Sequence, residues 1–311
     1  MTILQSYQIE YYDLEMSRIL ITGATGYLGG YLSLSLGSTH DIIKYDRINF
    51  PMEIDSIIHC AGLAHDFKGK YNFDDFYDVN TVLTKRILNE FLDSSASTFI
   101  YISSIKSIAN EYSFKNLKND DKTPPYHPYG LSKRLSEINI AEFEERLKKL
   151  KKQVFIIRPC MIYGGGKSIN FNKIVKLLQI GIPLIYPDKS IKRSYTNINL
   201  ISDLITKILK KPVNKGGIIK LIVCDQESVN FGQLLKMIKT KTSGKSILIP
   251  IPKWIGGIFH FIGQYVLPVK ISNSLSKILL PFVSDSNELY KLFDLDPNQY
   301  CILKYINDEL E

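Results

Sequence analysis

A tyrosine and a lysine four residues apart, Tyr129 and Lys133, offer the clearest acid–base chemistry in this sequence. Residues at this spacing lie on one face of a helix, and Pro128 opens a stretch with good helix formers. A free tyrosine loses its proton near pH ~10, but a neighbouring ammonium favours the phenolate and lowers this pKa. Tyr129 could then pass a proton to or from a substrate hydroxyl, while Ser104 holds the reacting oxygen. The alternative is a tyrosine and a lysine on an ordinary helix face.

Ser104 ends a segment, residues 97–104, that is rich in β-branched and aromatic side chains and finishes in two hydroxyls. This composition predicts a strand that precedes the Tyr129 helix. The three side chains therefore belong to consecutive elements of the chain.

A glycine-rich turn, Thr22 to Gly30, lies between an apolar run and an amphipathic stretch. Gly23 permits a sharp turn, Gly26 lets the backbone approach a phosphate, and Gly29 lets the helix pack close to the sheet. The pattern predicts the first strand and helix of a dinucleotide-binding fold, in which a pyrophosphate rests on N–H groups at the helix start. The spacing is G-x-x-G-x-x-G, so an ordinary strand-to-helix loop is the alternative.

The second predicted strand, residues 41–46, ends in Asp46, twenty-three residues after Gly23. An acidic residue near this position accepts the ribose hydroxyls of the adenosine and favours NAD. Arg47 could instead pair with the 2′-phosphate of NADP, and Asp46 could be a turn residue. We expect NAD or NADP, with NAD modestly favoured.

A third strand, residues 55–59, follows after only a short link, which predicts a sheet trimmed on one side. It ends in Cys60-Ala61-Gly62, small residues where a cofactor would cross the carboxyl edge of the sheet. Asn80 is expected to point inward from the next helix, either bonding backbone near the site or satisfying polar groups of the core.

The composition is that of a soluble globular protein, with 311 residues, 45% hydrophobic and 23% charged. Four dispersed cysteines without a C-x-x-C pair argue against a zinc site or a disulfide framework and predict a cytoplasmic protein. The net charge of +8 suits nucleic acid, an anionic membrane face or a nucleotide ligand. The lysines are spread along the chain, so we expect no nucleic-acid partner. The first residues lack the features of a signal peptide.

The order and spacing of these features resemble the extended short-chain dehydrogenase/reductase family of nucleotide-sugar epimerases, dehydratases and reductases. Further matches cover most of the chain: 59–62, Asn80, 157–164, 193–198 and 202–203. The resemblance implies that Ser104, Tyr129 and Lys133 are catalytic, with Lys133 also bonding the nicotinamide ribose. It implies that Asn170 and Arg193 contact the diphosphate of the substrate, beside Ser104 at the sugar. The residues expected to hold the cofactor are Gly23, Thr25, Gly26, Tyr27, Leu28, Gly29, Asp46, Arg47, Cys60, Ala61, Gly62, Asn80, Tyr129 and Lys133.

One departure from the family narrows the reaction. In its dehydratases an acidic pair follows the hydroxyl residue, whereas Ile105 and Lys106 follow Ser104 here. Elimination of water therefore lacks its acid and base, and reduction or epimerisation remains. The stretches 103–106 and 61–66 look most like a branch from bacterial polysaccharide pathways that reduces UDP-linked 4-keto-6-deoxy sugars or epimerises at C4. A cofactor-binding scaffold without activity is a third hypothesis.

The fold class expected is α/β, a Rossmann-type doubly wound parallel sheet with a smaller C-terminal substrate domain. Residues 1–17 would be an extension, 18–165 the dinucleotide-binding core, and 166–311 mainly the substrate region, with a strand near 218–223 returning to the core. The apolar stretch 254–269 is too short to span a bilayer and is expected to pack on the substrate lobe, with an interfacial membrane contact as the less favoured alternative. The family resemblance also implies a homodimer, paired through helices 80–92 and 129–147.

Overall fold

The computed structural model describes residues 16–64, 70–166, 169–187, 191–211, 213, 215–252, 254–255, 258 and 275–309. Its main strands are β1 (Arg18–Thr22), β2 (Asp41–Lys44), β3 (Ser56–His59), β4 (Thr98–Ile102), β5 (Ser113–Leu117), β6 (Gln153–Pro159), β7 (Met161–Tyr163), β8 (Leu184–Pro187), β9 (Lys192–Arg193), β10 (Tyr195–Asn197), β11 (Gly217–Val223), β12 (Val229–Asn230), β13 (Leu248–Ile251) and β14 (Phe282–Ser284). Its helices are α1 (Tyr27–Leu36), α2 (Phe73–Tyr77), α3 (Leu83–Asp93), α4 (Pro128–Ala141), α5 (Glu144–Leu150), α6 (Ile169–Ile180), α7 (Ile198–Leu209), α8 (Phe231–Lys241), α9 (Asn287–Phe293) and α10 (Ile302–Glu309).

Six parallel strands form the central sheet in the order β11-β6-β4-β3-β1-β2. Strands β3 and β4 are buried along their whole length, as expected of near-continuous apolar runs covered on both faces. The chain adds β2 on one side of β1 and β3 on the other, so the strand order reverses beside β1. A crevice for a ligand opens at the carboxyl ends of strands at such a reversal.

Helices cover both faces of this sheet, which makes the fold a doubly wound α/β sheet. On one face Leu32 of α1 and Ile201 of α7 pack against β1 and β6 in a single buried cluster. On the other face Ile87 and Phe91 of α3 pack with Phe99 of β4. The sheet therefore holds the carboxyl ends of β1, β3 and β4 in fixed positions between two packed layers.

The sheet ends at β2 within the described residues, as the short link after residue 46 predicts. The strand itself is shorter than predicted: it ends at Lys44 and not at residue 46. Two backbone N–H groups, of Ile48 and Asn49, donate to Asp46 Oδ1 at 2.8 and 3.1 Å, and Arg47 has a left-handed backbone with φ of 73°. These local interactions turn the chain away from the sheet.

Smaller sheets and helices form a second layer at the carboxyl edge. Four short strands pair in the order β12-β9-β14-β5, while β10 pairs with β7 and β13 with β8. Helices α6, α8 and α10 enclose a separate buried cluster that includes Phe171, Leu235 and Ile302. Within the described residues, no helix has both the length and the apolar character needed to cross a bilayer.

The helix predicted over 129–147 is divided. Helix α4 ends at Ala141, where the Phe143 N–H donates to Ile140 O at 3.1 Å, and α5 begins at Glu144. The break lets Phe143 and Leu147 both face the cluster around β4. The helix predicted over 80–92 also begins earlier, at Phe73, and contains a π-helical turn over Asp78–Val82.

Two expectations fall largely outside the described residues. The extension 1–17 is described only at residues 16 and 17, and the apolar stretch 254–269 only at 254, 255 and 258.

Candidate active site

The glycine turn after β1 packs closely against the end of β3. Gly23 has φ of +69°, and a Cβ added there would lie 2.6 Å from the Ala61 nitrogen. A Cβ on Gly29 would lie 2.3 Å from the Gly23 carbonyl oxygen. Neither position accepts a side chain, because both distances are far below any real contact. The turn is therefore a bare-backbone cradle beside the carboxyl end of the sheet.

Helix α1 begins at this cradle. Gly26 is its N-cap, and none of the described side chains caps the helix there. Thr25 and Gly26 are exposed, whereas the Leu28 side chain is buried in the core, so Leu28 could reach a ligand only through its backbone. The Tyr27 hydroxyl donates to Gly164 O at 2.6 Å and ties the helix start to the segment after β7. An uncapped helix start with little side-chain cover fits an anionic pyrophosphate.

Asp46 and Arg47 are both exposed at the end of β2. The hydrogen bonds from Ile48 and Asn49 hold the pKa of Asp46 below its usual value, so this carboxylate stays ionised. Asp46 is thus a turn residue, and its place next to β1 and the glycine turn is also that of a ribose-binding acid. The Asp46 carboxylate can accept the turn hydrogen bonds and still be available to a ribose, so the two roles are compatible.

A buried histidine to which the sequence patterns assigned no role joins three elements below the cradle. His59 Nδ1 lies 2.6 Å from Thr22 Oγ1, and its Nε2 lies 2.9 Å from Thr84 Oγ1. Thr84 donates its proton to Asn80 O, so its oxygen must accept from Nε2–H, and Nδ1 accepts from Thr22. Burial, aided by the Lys133 charge, lowers the pKa of His59 to about 3. The ring is therefore a neutral structural link between β1, β3 and α3.

The loop after β3 is fixed by the π-helical turn, which is bonded in turn to α4. Asn80, fully buried, accepts from the Leu63 N–H at 2.7 Å and donates to Leu63 O and to Ser132 Oγ. The π-helical turn also directs Thr81 toward Ser132 O on α4. Asn80 thus bonds backbone beside the site, which is one of the two roles expected for it.

Small residues follow β3, and Gly62 lies directly beside Lys133. A Cβ on Gly62 would come within 3.0 Å of Asn80 Oδ1 and 3.2 Å of Lys133 Nζ. Cys60 and Ala61 are partly buried, and burial raises the pKa of the Cys60 thiol to about 12. Cys60 is consequently an inert thiol at the edge of the cradle.

Lys133 projects from α4 into this junction and is only 4% exposed. Its ammonium donates to Ile102 O at 2.8 Å and lies 4.8 Å from the centre of the Tyr101 ring. Burial lowers the pKa of Lys133 to about 8, against smaller opposing effects of Cys60 and Glu137. A lysine with this pKa is charged at neutral pH but close to its titration range.

Tyr129 lies one helical turn before Lys133, and His127 caps the start of α4 by accepting from the Tyr129 N–H at 3.2 Å. Phe76 of α2 packs edge-on against the phenol ring at a centroid distance of 6.3 Å. The Ser104 hydroxyl interacts with the phenol and lowers its pKa, but burial dominates and the pKa of Tyr129 is raised. The expectation that Lys133 lowers this pKa is therefore wrong for this structure, because Lys133 bonds to Ile102 O and the phenol is desolvated. Tyr129 is a protonated acid here.

A buried ion pair, whose two residues are not among the site residues expected from the sequence, holds α4 against the sheet. Arg158 of β6 donates to both carboxylate oxygens of Glu137, with Nε at 3.0 Å and Nη2 at 2.6 Å. The Ser103 and Ser107 hydroxyls donate to the same carboxylate at 2.6 and 2.7 Å. Glu137 follows Lys133 by one turn on the same helix face, so this cluster fixes the helix and the end of β4 together.

A second charged cluster follows Ser104. The Lys106 N–H donates to Ser104 Oγ at 3.2 Å, and its ammonium pairs with Glu111 at 2.5 Å. Glu111 is 1% exposed, lies 3.6 Å from the Lys277 ammonium, and its Oε1 has no hydrogen-bond partner among the described residues. The basic side chains outweigh the burial of Glu111 and hold its pKa below the usual value.

Arg193 adjoins this cluster rather than facing solvent. It donates to Leu280 O at 2.8 Å and to Glu111 O at 3.2 Å, and lies over the Phe282 ring. Burial lowers its pKa. Arg193 thus contacts the Lys106–Glu111 cluster that follows Ser104. The Asn170 side chain lies outside the part of the chain that the structure describes.

Residues 38–215, more than half of the chain, match the 3-beta hydroxysteroid dehydrogenase/isomerase family. The chain is 30% identical over 276 residues to a UDP-glucose 4-epimerase of Vibrio cholerae, covering 78% of this chain and 80% of the relative.

Two solved structures are similar in fold. MoeE5 in complex with UDP-glucose and NAD has a TM-score of 0.72 at 16% identity, covering 94% of this chain and 97% of that one. The dTDP-4-dehydrorhamnose reductase of Bacillus anthracis in complex with NADP has a TM-score of 0.67 at 17% identity, covering 94% and 98%.

Proposed function

Because the chain belongs to the 3-beta hydroxysteroid dehydrogenase/isomerase family, and with it to the extended short-chain dehydrogenase/reductases, we propose that it is an NAD(P)-dependent nucleotide-sugar oxidoreductase. The proposed reaction is reduction of a UDP-linked 4-keto-6-deoxy sugar of the N-acetylhexosamine type, in surface polysaccharide synthesis. The observation that carries the proposal is the interaction of Tyr129, on the helix that also carries Lys133, with Ser104. Tyr129 interacts with the Ser104 hydroxyl, and Lys133 lies one helical turn away beside Gly62.

The cofactor fits the described residues. The cradle formed by Gly23, Gly26 and Gly29 would hold the pyrophosphate against the start of α1. Asp46 and Arg47 would meet the adenosine ribose, and the Cys60–Gly62 segment would line the crossing over the sheet. Lys133 would complete the nicotinamide end by donating to the ribose, and the buried Asn80 would hold the loop beside it through Leu63. Bound nicotinamide would supply or accept hydride at C4 of the sugar.

The charge states of the site suit proton donation. Tyr129, protonated because its pKa is raised, would give its phenolic proton to the C4 oxygen. Ser104, 8% exposed at the end of β4, would hold that oxygen by a hydrogen bond. One proton and one hydride convert the ketone to an alcohol. Lys106 is paired to Glu111 where a dehydratase has its acidic pair, which supports reduction over elimination.

A C4 epimerase is the second candidate. It is favoured by the 30% identity to a UDP-glucose 4-epimerase across most of both chains. In that reaction Tyr129 would have to start as the phenolate: it would take the C4 hydroxyl proton while the C4 hydride passes to NAD+, the ketosugar would rotate, and the proton and the hydride would return, the hydride to the other face. Tightly retained NAD would accompany this cycle, since no net oxidation occurs.

Oxidation of NADH and NADPH in the presence of a UDP-4-keto-6-deoxy-N-acetylhexosamine tests the reductase. We expect stoichiometric loss of reduced cofactor, abolished in Tyr129→Phe with cofactor binding unchanged. Tyr126→Phe, three residues earlier and 55% exposed, is the matched control and should retain turnover. Conversion of UDP-GlcNAc to UDP-GalNAc without net oxidation would instead establish the epimerase. If neither reaction is detected, the hypothesis of a non-catalytic cofactor-binding scaffold remains.

We also propose a cytoplasmic homodimer that pairs through α3, α4 and the π-helical turn. Exposed apolar side chains on these elements support the dimer: Val79 at 38%, Val82 at 48% and Ile138 at 43% exposure. Light scattering should give twice the chain mass, and Ile138→Glu should give a monomer. The control Ile48→Glu, at an 82% exposed site in the turn after β2, should remain dimeric.

A further inference from the structure

An apolar surface lies on the second layer, on elements other than those that form the cradle. The two-stranded sheet of β8 and β13 directs alternate side chains to opposite faces. Leu184, Tyr186 and Leu248 pack inward against the cluster around α8. The large apolar side chains left exposed on and beside this sheet form what we call the β8–β13 patch: Ile180, Ile182, Ile247, Ile249, Trp254 and Ile258.

Backbone pairing makes the main part of this patch continuous. The Leu184 N–H donates to Ile247 O at 2.9 Å, and Ile185 is in register with Ile249. The Lys245 N–H donates to Leu178 O at 2.9 Å, which brings the end of α6, with Ile180, beside β13. Ile247 is 65% and Trp254 is 66% exposed. Single exposed side chains of this size are ordinary, but six of them on adjoining segments form a patch.

Two lysines adjoin the patch, and the sequence around β13 is basic. Between Glu227 and Asp285 the sequence contains no acidic residue. The same interval holds seven lysines: Lys236, Lys239, Lys241, Lys245, Lys253, Lys270 and Lys277. An open groove on α8 is lined by Lys236 and Lys239 together with Ile247 and Leu248, so cationic and apolar groups meet on one surface.

We infer that the β8–β13 patch docks the protein on an anionic lipid bilayer surface. Exposed isoleucines and a tryptophan rimmed by lysines are the combination that binds an anionic membrane interface. A second copy on the same patch would set lysines against lysines, which disfavours self-association there. Docking is independent of the proposed reaction, because the patch shares no residue with the cradle or with Ser104, Tyr129 and Lys133.

Trp254 is the only tryptophan of the chain, so its fluorescence reports on the patch directly. We expect its emission to shift to shorter wavelength with vesicles of phosphatidylcholine containing phosphatidylglycerol. Vesicles of phosphatidylcholine alone should give little shift, and added salt should reverse binding because the lysines contribute electrostatically. Co-sedimentation with the same vesicles should give the same ranking.

Paired variants separate the two contributions. Ile247→Ser with Ile249→Ser should abolish the shift, and Lys236→Gln with Lys239→Gln should weaken vesicle affinity by on the order of tenfold or more. The controls are Leu34→Ser, 82% exposed on α1, and Lys44→Gln with Lys85→Gln, all outside the patch. They should bind vesicles like the parent protein. Turnover of all these variants should equal that of the parent.

Three results would overturn the inference: no shift with anionic vesicles, equal loss in the controls and patch variants, or a shift that depends on protein concentration without vesicles. The last would assign the patch to a second copy. Tyr129→Phe should still bind vesicles, so failure of docking and failure of the proposed reaction are told apart.

Discussion

Arg158 and Glu137 form an ion pair held by two hydrogen bonds in the interior of the protein, with both side chains no more than 2% exposed. The pair joins β6 to the helix that carries Tyr129 and Lys133. Removing one partner of such a pair leaves a buried charge without compensation.

The Arg158–Glu137 pair should contribute measurably to the stability of the fold. Glu137→Gln should lower the free energy of unfolding by about 3 kcal/mol, measured by urea denaturation. The control Glu145→Gln removes an exposed partner of Lys148 and should change it by less than about 0.5 kcal/mol. A loss below about 1 kcal/mol in Glu137→Gln would show that the pair does not hold α4.

The same pair predicts a dependence on acid. Burial alone would raise the pKa of Glu137, but the Arg158 hydrogen bonds and charge outweigh burial and hold it below the usual value of 4.5. A carboxyl with a lowered pKa stabilises the fold above its unfolded pKa, and this stability is lost as pH falls below it. Stability of the parent should therefore decline below pH 4.5 more steeply than that of Glu137→Gln.

The glycine turn supplies a steric prediction. In Gly29→Ala the new Cβ would lie 2.3 Å from Gly23 O, so the turn must shift and cofactor affinity should fall tenfold or more, together with about 1–3 kcal/mol of stability. In Gly30→Ala the nearest atom, Ala24 O, is 3.2 Å away, and alanine is the better helix former. Titration of NADH fluorescence should separate the two variants; equal affinities would contradict the cradle.

Lys133 should give cofactor binding a pH dependence. Its pKa of about 8 lies below the ordinary 10.5, so the folded protein loses this ammonium as pH rises through 8. We expect NADH affinity to decline between pH 7 and 9 and the decline to be absent in Lys133→Met. Unfolding free energy should rise with pH between 8 and 10.5 through this group, because the unfolded chain binds the proton more tightly there.

Lys152 provides the control for this prediction. Its buried ammonium donates to Phe91, Ser94 and Ala96 carbonyls away from the site. Lys152→Met should lose stability but keep the parent's pH dependence of NADH affinity. If it lost that dependence too, Lys133 would not be its source.

The choice between NAD and NADP is tested at Asp46. Asp46→Asn keeps an oxygen to accept from Ile48 and Asn49, so the turn should survive, but it removes the negative charge. The ratio of NADPH to NADH affinity should rise about fivefold, the factor that ~1 kcal/mol of charge repulsion gives. Arg47→Gln should move the ratio the other way. No change in either variant would mean that the ribose lies elsewhere.

Local patterns in the sequence determined the strands, the glycine turn and the helix face of the dinucleotide-binding core. The glycine turn follows from sterics at Gly23 and Gly29, and β3 and β4 follow from apolar runs that need cover on both faces. The four-residue spacing of Tyr129 and Lys133 fixes them on one helix face wherever that helix packs. These features depend on residues close together in the chain, and so they can be predicted without knowledge of the fold.

Only the tertiary structure decided the protonation states of the site residues and the buried ion pairs that hold the site in place. The neutral form of His59, the Glu137–Arg158 pair and the Lys106–Glu111 pair depend on partners brought together by the strand order or by burial. The raised pKa of Tyr129 comes from desolvation, which no spacing records. The exposure of Ile247 and Trp254 likewise depends on which face of β13 the core leaves uncovered. Burial is a property of the packed whole, and sequence patterns specify it only where one face of an element is unmistakably apolar.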